Sequence, residues 1–499
     1  LFPYTTLFRS SAGSLTLAME SFELGRVPQA LERIPLLVDS ERGTIGGELS
    51  VDFAEGQAAL DGKLRLAGLN LEHRIIAREV LRDIDFGVDL RAKVDPAAYR
   101  VDLEELSVER RGARLVGSGL IIHTPERDTR KYKVEFEVPE TDCQVILNAV
   151  PPELAPSLRG LRAKGKYTAR VALDVDFSDL DALELETKVR PRNCKVTDVP
   201  PALSLARLRN GFTHRMTMRD GRQRMVKLFA GSSSYAPLSQ ISPNMVAAVL
   251  TTEDAAFWRH SGFLPKQFGE AMKRNLKAGR VRLGASTITM QMVKNVFLSH
   301  ERTLARKFQE LVLTEYVERV LSKERIMELY LNVIEFGPGI YGVRAAAEHY
   351  YGKHPRDLTS LEAAYLALML PSPVRRHVHY CKRELSPSFQ RKLRNIHRLM
   401  WSRGHIAEEE YLLWREADII FDESYPHDRG SCLAEIRRLM DATAGQHAIT
   451  GLLGDSAPTR EDVAEPSEPR EEVPLPDLVE PDPANGDPPG LPAMDQVEP

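Results

Sequence analysis

The sequence predicts a multidomain α+β chain, an antiparallel β-rich half followed by a mainly α-helical half. Three observations carry this. Between about residues 46 and 189 apolar residues recur with period two; between about 242 and 421 they recur with the period of a helix; and 499 residues exceed what one core usually organises. Beyond about residue 445 the composition shifts to Pro, Asp and Glu with few aromatics, so residues 446–499 are expected to stay disordered, as an acidic tail that cannot bury enough surface to offset its ordering entropy.

Taken in order, the first ten residues, LFPYTTLFRS, resemble a translated sequencing-library adapter and are set aside, so that an N-terminal anchor is expected upstream. From residue 11 to about 200 the alternation is clear in Leu49, Val51 and Phe53, in Val134, Phe136 and Val138, and in Val171, Leu173 and Val175. It predicts strands with one buried face, broken by turn pairs such as Asp61-Gly62. Residues 201–224 read as a linker. Ser242-Pro243 then supplies an N-cap and a first-turn proline, and Thr359 with Glu362 forms a capping box ahead of an apolar helix that Pro371 stops. Residues 421–445 form a C-terminal extension.

Net charge of −4 argues against a general nucleic-acid binder. The cysteines, Cys143, Cys194, Cys381 and Cys432, show no metal-ligand spacing. Cys143 and Cys194 share the strand-rich region, where a disulfide and two buried free thiols both remain open. No apolar run is long enough for a membrane span.

The chemistry concentrates in five motifs. Glu253-Asp254 runs through Phe257 to His260 and Gly262; at ~100° per residue a helix here would put Glu253, Phe257 and His260 on one face, where partial desolvation raises a carboxyl pKa and suits it to accept a proton. His260 reads as a structural histidine. Gly284 to Thr289, followed by Gln291 and Lys294, offers hydroxyls, free amides and a cation, a combination that suits a phosphate. Arg302, Arg306 and Glu310 fall at i, i+4 positions in a helix whose other positions are largely apolar, so Glu310 is expected near the core with Arg306 as partner. Glu328 to Asn332 and Gly337 to Arg344 read as scaffold, with Arg344 the exception to watch.

Together, in this order, the motifs resemble the peptidoglycan glycosyltransferase domain, glycosyltransferase family 51, of monofunctional transglycosylases and bifunctional penicillin-binding proteins. The resemblance implies a lysozyme-like helical domain at residues 225–420 that polymerises lipid II with inversion. Glu253 and Glu310 would be its catalytic carboxylates. Lys294, Arg302, Ser286, Thr287, Gln291 and Arg306 would bind substrate, with Mg²⁺ or Mn²⁺ possible at Glu310 and no organic cofactor. Implied partners are lipid II, the growing glycan strand, the cytoplasmic membrane at its periplasmic face, and other cell-wall synthesis proteins. Where the family usually has two glutamines this chain has Met290-Gln291. No Ser-x-x-Lys with a later Lys-Thr-Gly or Lys-Ser-Gly occurs, so no transpeptidase is expected. Residues 11–200 resemble, in texture alone, AsmA-like envelope proteins, whose sheets form an apolar groove suited to lipid. The alternative function is therefore an AsmA-like lipid-binding scaffold carrying an inactive glycosyltransferase domain.

Overall fold

A computed structural model of the chain describes residues 13–444 except 32, 33, 35, 74, 219, 220, 280–283, 299–302 and 425–427. The segment 1–10, Arg302 and the tail 446–499 lie outside the described residues.

The first half is one nine-stranded antiparallel meander in which every strand pairs with its neighbours in sequence: β1 (Gly13–Glu23), β2 (Thr44–Ala54), β3 (Gln57–Leu71), β4 (Leu81–Asp95), β5 (Arg100–Arg110), β6 (Ala113–Ile122), β7 (Lys131–Asp142), β8 (Arg162–Asp176) and β9 (Asp179–Asp198). Alternation sorts its side chains. One face is apolar, through cross-strand pairs such as Leu64 with Val88, Leu90 with Leu106, and Phe136 with Val171. The other carries cross-strand ion pairs, among them Lys133–Asp174 at 2.9 Å and Lys93–Glu104 at 2.6 Å. Such half-exposed pairs add little stability but fix register.

Two expectations change. Asp61-Gly62 is no turn: both residues lie inside β3, and a Cβ on Gly62 would come within 3.0 Å of the Leu49 side chain, so the glycine serves close packing. Two of the tight turns are Glu55-Gly56 and Arg111-Gly112, where both residues have positive φ, as type I′ hairpins require. The concavity of the sheet, about 770 Å³, carries Lys93, Asp102, Glu104, Lys133, Glu135 and Asp174 together with Leu120 and Ala172, so the hollow side is mixed and rich in charge rather than an apolar groove.

Residues 201–224, read above as a linker, include most of a hairpin, β10 (Phe212–Thr217) with β11 (Gln223–Leu228), whose Phe212, Met216 and Val226 join the helical core. From Pro243 the helices are α1 (Pro243–Thr252), α2 (Pro265–Lys277), α3 (Ile288–Phe297), α4 (Leu304–Val320), α5 (Lys323–Val333), α6 (Val343–Tyr351), α7 (Ser360–Met369), α8 (Pro373–Arg376), α9 (Val378–Lys382), α10 (Pro387–Ser402), α11 (Glu408–Trp414) and α12 (Arg429–Ala444). Ser242 caps α1 and Thr359 with Glu362 forms the capping box of α7. Fully buried Ala248 on α1 and Ala363, Ala364 and Ala367 on α7 let these two central helices approach closely.

Both cysteine pairs are bonded. Cys143–Cys194 ties the helix after β7 to β9, and Cys381–Cys432 ties α9 to α12. The two halves also meet directly. The amides of Leu304 and Ala305 donate to the carbonyls of Ile75 and Ile76 at 2.8 and 2.9 Å, Gln309 Oε1 accepts from the Ser157 amide at 2.9 Å, and Tyr316 donates to the Leu203 carbonyl. At the far corner of the sheet, Leu276 and Met272 of α2 pack on Val175 and Leu183. Among the described residues no helix is long and apolar enough to cross a membrane.

Candidate active site

Glu253 is not inside a helix. It is the C-cap of α1, where the chain turns away after Thr252, and its amide donates to the Val249 carbonyl at 2.9 Å. Its carboxylate Oε2 accepts from Gln291 Nε2 at 2.7 Å. Burial pushes its pKa above the ordinary glutamate value, against the lowering pull of the Gln291 hydrogen bond and of the Lys294 and Arg376 charges; the neighbouring Asp254 pushes it further up. Its position at the carbonyl end of a helix, where negative charge is unfavourable, acts in the same upward direction.

Asp254, passed over by the sequence reading, welds the first motif to the second. It is 3% exposed and accepts from the Ile288 amide at 3.1 Å and from His260 at 2.9 Å. Because His260 Nδ1 accepts from the Gly262 amide at 2.8 Å, the ring proton sits on Nε2 and is donated to Asp254. Thr287 donates to the Gly262 carbonyl at 2.6 Å and caps the Met290 amide. Thr287 is thus a buried latch. Gly262 has φ +93°, and a Cβ there would lie 2.5 Å from Thr314 Cγ2, so the turn accepts glycine alone. Phe257 is fully buried and does not share a helix face with Glu253; Lys323 Nζ sits 4.4 Å from its ring centroid. Met290 is fully buried as well, so the position that departs from the paired glutamines points into the core, while Gln291 reaches the carboxylate.

Glu310 is 1% exposed. Its Oε2 is bonded by Arg306 and its Oε1 by Lys307 at 2.6 Å, and Lys307 also donates to Ser286 Oγ at 3.1 Å. Two cations against one carboxylate leave a net positive charge beside the Ser286 loop, which is the arrangement an anion needs. Lys307 was missed because the i, i+4 spacing drew attention to Arg306; the i, i+3 relation to Glu310 is the signal that finds it. Arg376, on α8, was missed for a plainer reason: it is far from every motif in sequence.

The fourth motif supports the first. Glu328 accepts from the Leu238 amide at 2.7 Å and from Tyr235, while fully buried Asn332 accepts from the Ala236 amide at 2.9 Å and donates to its carbonyl at 2.8 Å. The segment entering α1 is therefore fixed to α5. Gly342 has φ +84°, and a Cβ there would meet the Asn332 carbonyl oxygen at 2.8 Å. Arg344 is half-buried on α6.

Residues 222–397 match the family model described as Transglycosylase. The biosynthetic peptidoglycan transglycosylase of Chromobacterium violaceum is 42% identical over 166 residues, 33% of this chain and 71% of that protein. The chain belongs to the peptidoglycan transglycosylase family. The corresponding protein of Nitrosospira multiformis is 47% identical over 139 residues, 28% of this chain, and penicillin-binding protein 1A of Aquifex aeolicus is 41% identical over 178 residues, 36% of this chain but 24% of that protein. The alignments span about 60% of the length of the first curated relatives. All five motifs, Glu253 to Ala347, lie within the transglycosylase match, and the nine-stranded sheet lies outside it.

Proposed function

We propose that this chain extends peptidoglycan glycan strands from lipid II, with inversion, in a helical domain of the family's lysozyme-like type. Glu253 takes the proton of the acceptor sugar's 4-hydroxyl. That oxygen bonds to C1 of the donor strand as the bond from C1 to the diphosphate oxygen breaks, and undecaprenyl diphosphate leaves. Lys294, Arg306 and Lys307, with the Ser286 hydroxyl, balance the charge that develops on the leaving group; by resemblance Arg302 joins them. A well-placed donor of this kind lowers the barrier by ~3–4 kcal/mol. Glu310 anchors the cations.

The reading is carried by one observation: a buried carboxylate with a raised pKa is held by Gln291 within the field of Lys294 from the second motif and of Arg376. The residues present do not fit a protein-held Mg²⁺ or Mn²⁺ at Glu310, since both of its oxygens are already bonded to cations and it belongs to no cluster of metal ligands among the described residues. Two disulfides suit an oxidising compartment, in keeping with a site on the periplasmic face of the cytoplasmic membrane.

The test is incubation of the purified chain with labelled lipid II in detergent. Polymer that lysozyme digests to disaccharide units supports the reading; a folded chain that leaves lipid II unchanged overturns it.

A further inference from the structure

Among the described residues, much of the apolar face of the sheet stays partly open. Nine strands at about 4.8 Å spacing span about 38 Å. Across β3 to β7 the side chains of Leu64, Val88, Leu90, Leu106, Val134 and Phe136 point to this face, and each keeps part of its surface open. Toward the edges exposure increases, to 49% at Leu15 and 39% at Val171. A soluble surface seldom leaves more than a few hundred Å² of contiguous apolar area to water.

Among the described residues, two corners of the face are occupied by helices of the second half. At one, Ala305 in the first turn of α4 packs with Leu69 and Ile84, against which Leu66 and Phe86 lie. The next two residues are Arg306 and Lys307, the cations beside Ser286. At the other, Leu276 of α2 packs on Val175 and Leu183. Leu304, 56% exposed, and Leu311, 38% exposed, add open apolar surface on α4 itself. The cations beside Ser286 and the contact with the sheet therefore share the first turn of α4.

We propose that the hydrocarbon tail of the diphosphate-linked donor lies on this face, running from the first turn of α4 across β4 to β7. The inference rests on the proposed glycosyl transfer, which places a diphosphate at Lys307, in the same helical turn as the Ala305 contact with the sheet. Charge fixes the head and the adjoining apolar surface takes the tail, so the occupant is a long polyisoprenoid attached to an anion. The sheet then acts as the part of the enzyme that measures lipid length.

The test uses the full chain and a C55 polyprenyl diphosphate carrying a diazirine at its far end, with crosslinks mapped by mass spectrometry. The expected result is labelling of β4 to β7, at least tenfold weaker in a folded Phe136→Glu variant and retained in Phe136→Leu. Labels confined to the helical half overturn the proposal. So does labelling abolished by phosphatidylglycerol vesicles that lack any diphosphate lipid, which would make the face a bilayer contact, or a dimer that Phe136→Glu dissolves, which would make it a contact between copies. Turnover supplies a second readout: kcat/KM for a C55 donor should exceed that for a C20 donor at least tenfold, and Leu90→Glu should bring the ratio close to one, whereas an unchanged ratio contradicts the tail site. Crosslinking needs no glycosyl transfer. Sheet labelling without polymer would leave the tail site standing and remove the proposed activity; polymer without sheet labelling would do the reverse.

Discussion

At Glu253 burial and charge pull against each other, and the balance raises the carboxyl pKa. The sign of its effect on stability follows. The folded chain holds this proton at a pH where the unfolded chain has released it, so ionised Glu253 costs stability that is absent below the unfolded pKa and fully present above the raised one. Glu253→Gln should accordingly melt at a higher temperature than the parent at pH 8, with the difference vanishing near pH 4; calorimetry at the two pH values measures it, and an equal difference at both would contradict the burial argument. Lys307 makes a second case. Lys307→Ala removes one of the two cations on Glu310 and should lower kcat by about 10²-fold, with weaker binding of the phosphoglycolipid moenomycin and partial rescue by Lys307→Arg; binding by isothermal calorimetry separates this from misfolding. At this scale the sequence was legible where motif and periodicity agreed, as for Glu310 and Arg306. It failed where a partner came from elsewhere. Asp254 stood in plain view beside Glu253, yet only the folded turn brings it to His260 and Ile288.

The elements show the same division. The caps at Ser242 and Thr359 are local chemistry between residues two or three apart, and they were readable. The end of α1 was not: apolar periodicity runs on toward Phe257, but Asp254 is drawn off to His260 and the Ile288 amide, which stops the helix at Thr252. The Asp61-Gly62 pair misled for the opposite reason, since a turn signature was outweighed by nine-strand pairing around it. Asn332 tests the bracing of α1 by α5. Asn332→Ala strands the buried Ala236 amide and carbonyl and should cost about 2–3 kcal/mol, read as a lower urea midpoint with an unchanged slope. His397 tests the packing of α7 on α10. It is fully buried, bonded through Nε2 to Ser360 at 2.8 Å, and burial drives its pKa down to about 4. A base with a lowered folded pKa refuses a proton that the unfolded chain accepts, so stability should fall as pH drops from about 6.5 toward 4; in His397→Asn this part of the acid sensitivity should disappear, and a variant as acid-sensitive as its parent would contradict it.

For the whole molecule, alternation announced a β half and helical periodicity a second half, and the motif order announced the family. The way the sheet half braces α4 could not be read, because the contacts of Ile75, Ile76 and Ser157 with that helix join residues more than a hundred positions apart and leave no local pattern. The disulfide between Cys381 and Cys432 escaped notice likewise, its partners lying on separate helices. What the assembled molecule supplies is a buried carboxylate held by Gln291 under the pull of Lys294 and Arg376, a second carboxylate that gathers Arg306 and Lys307, and a sheet fixed to the helix that carries those two cations. The most direct test compares the full chain with Glu253→Gln on labelled lipid II at equal site occupancy. The account predicts near-equal lipid II binding and a polymerisation rate at least about 10²-fold lower in the variant; a variant that binds lipid II and polymerises it within a few-fold of the parent rate would contradict it.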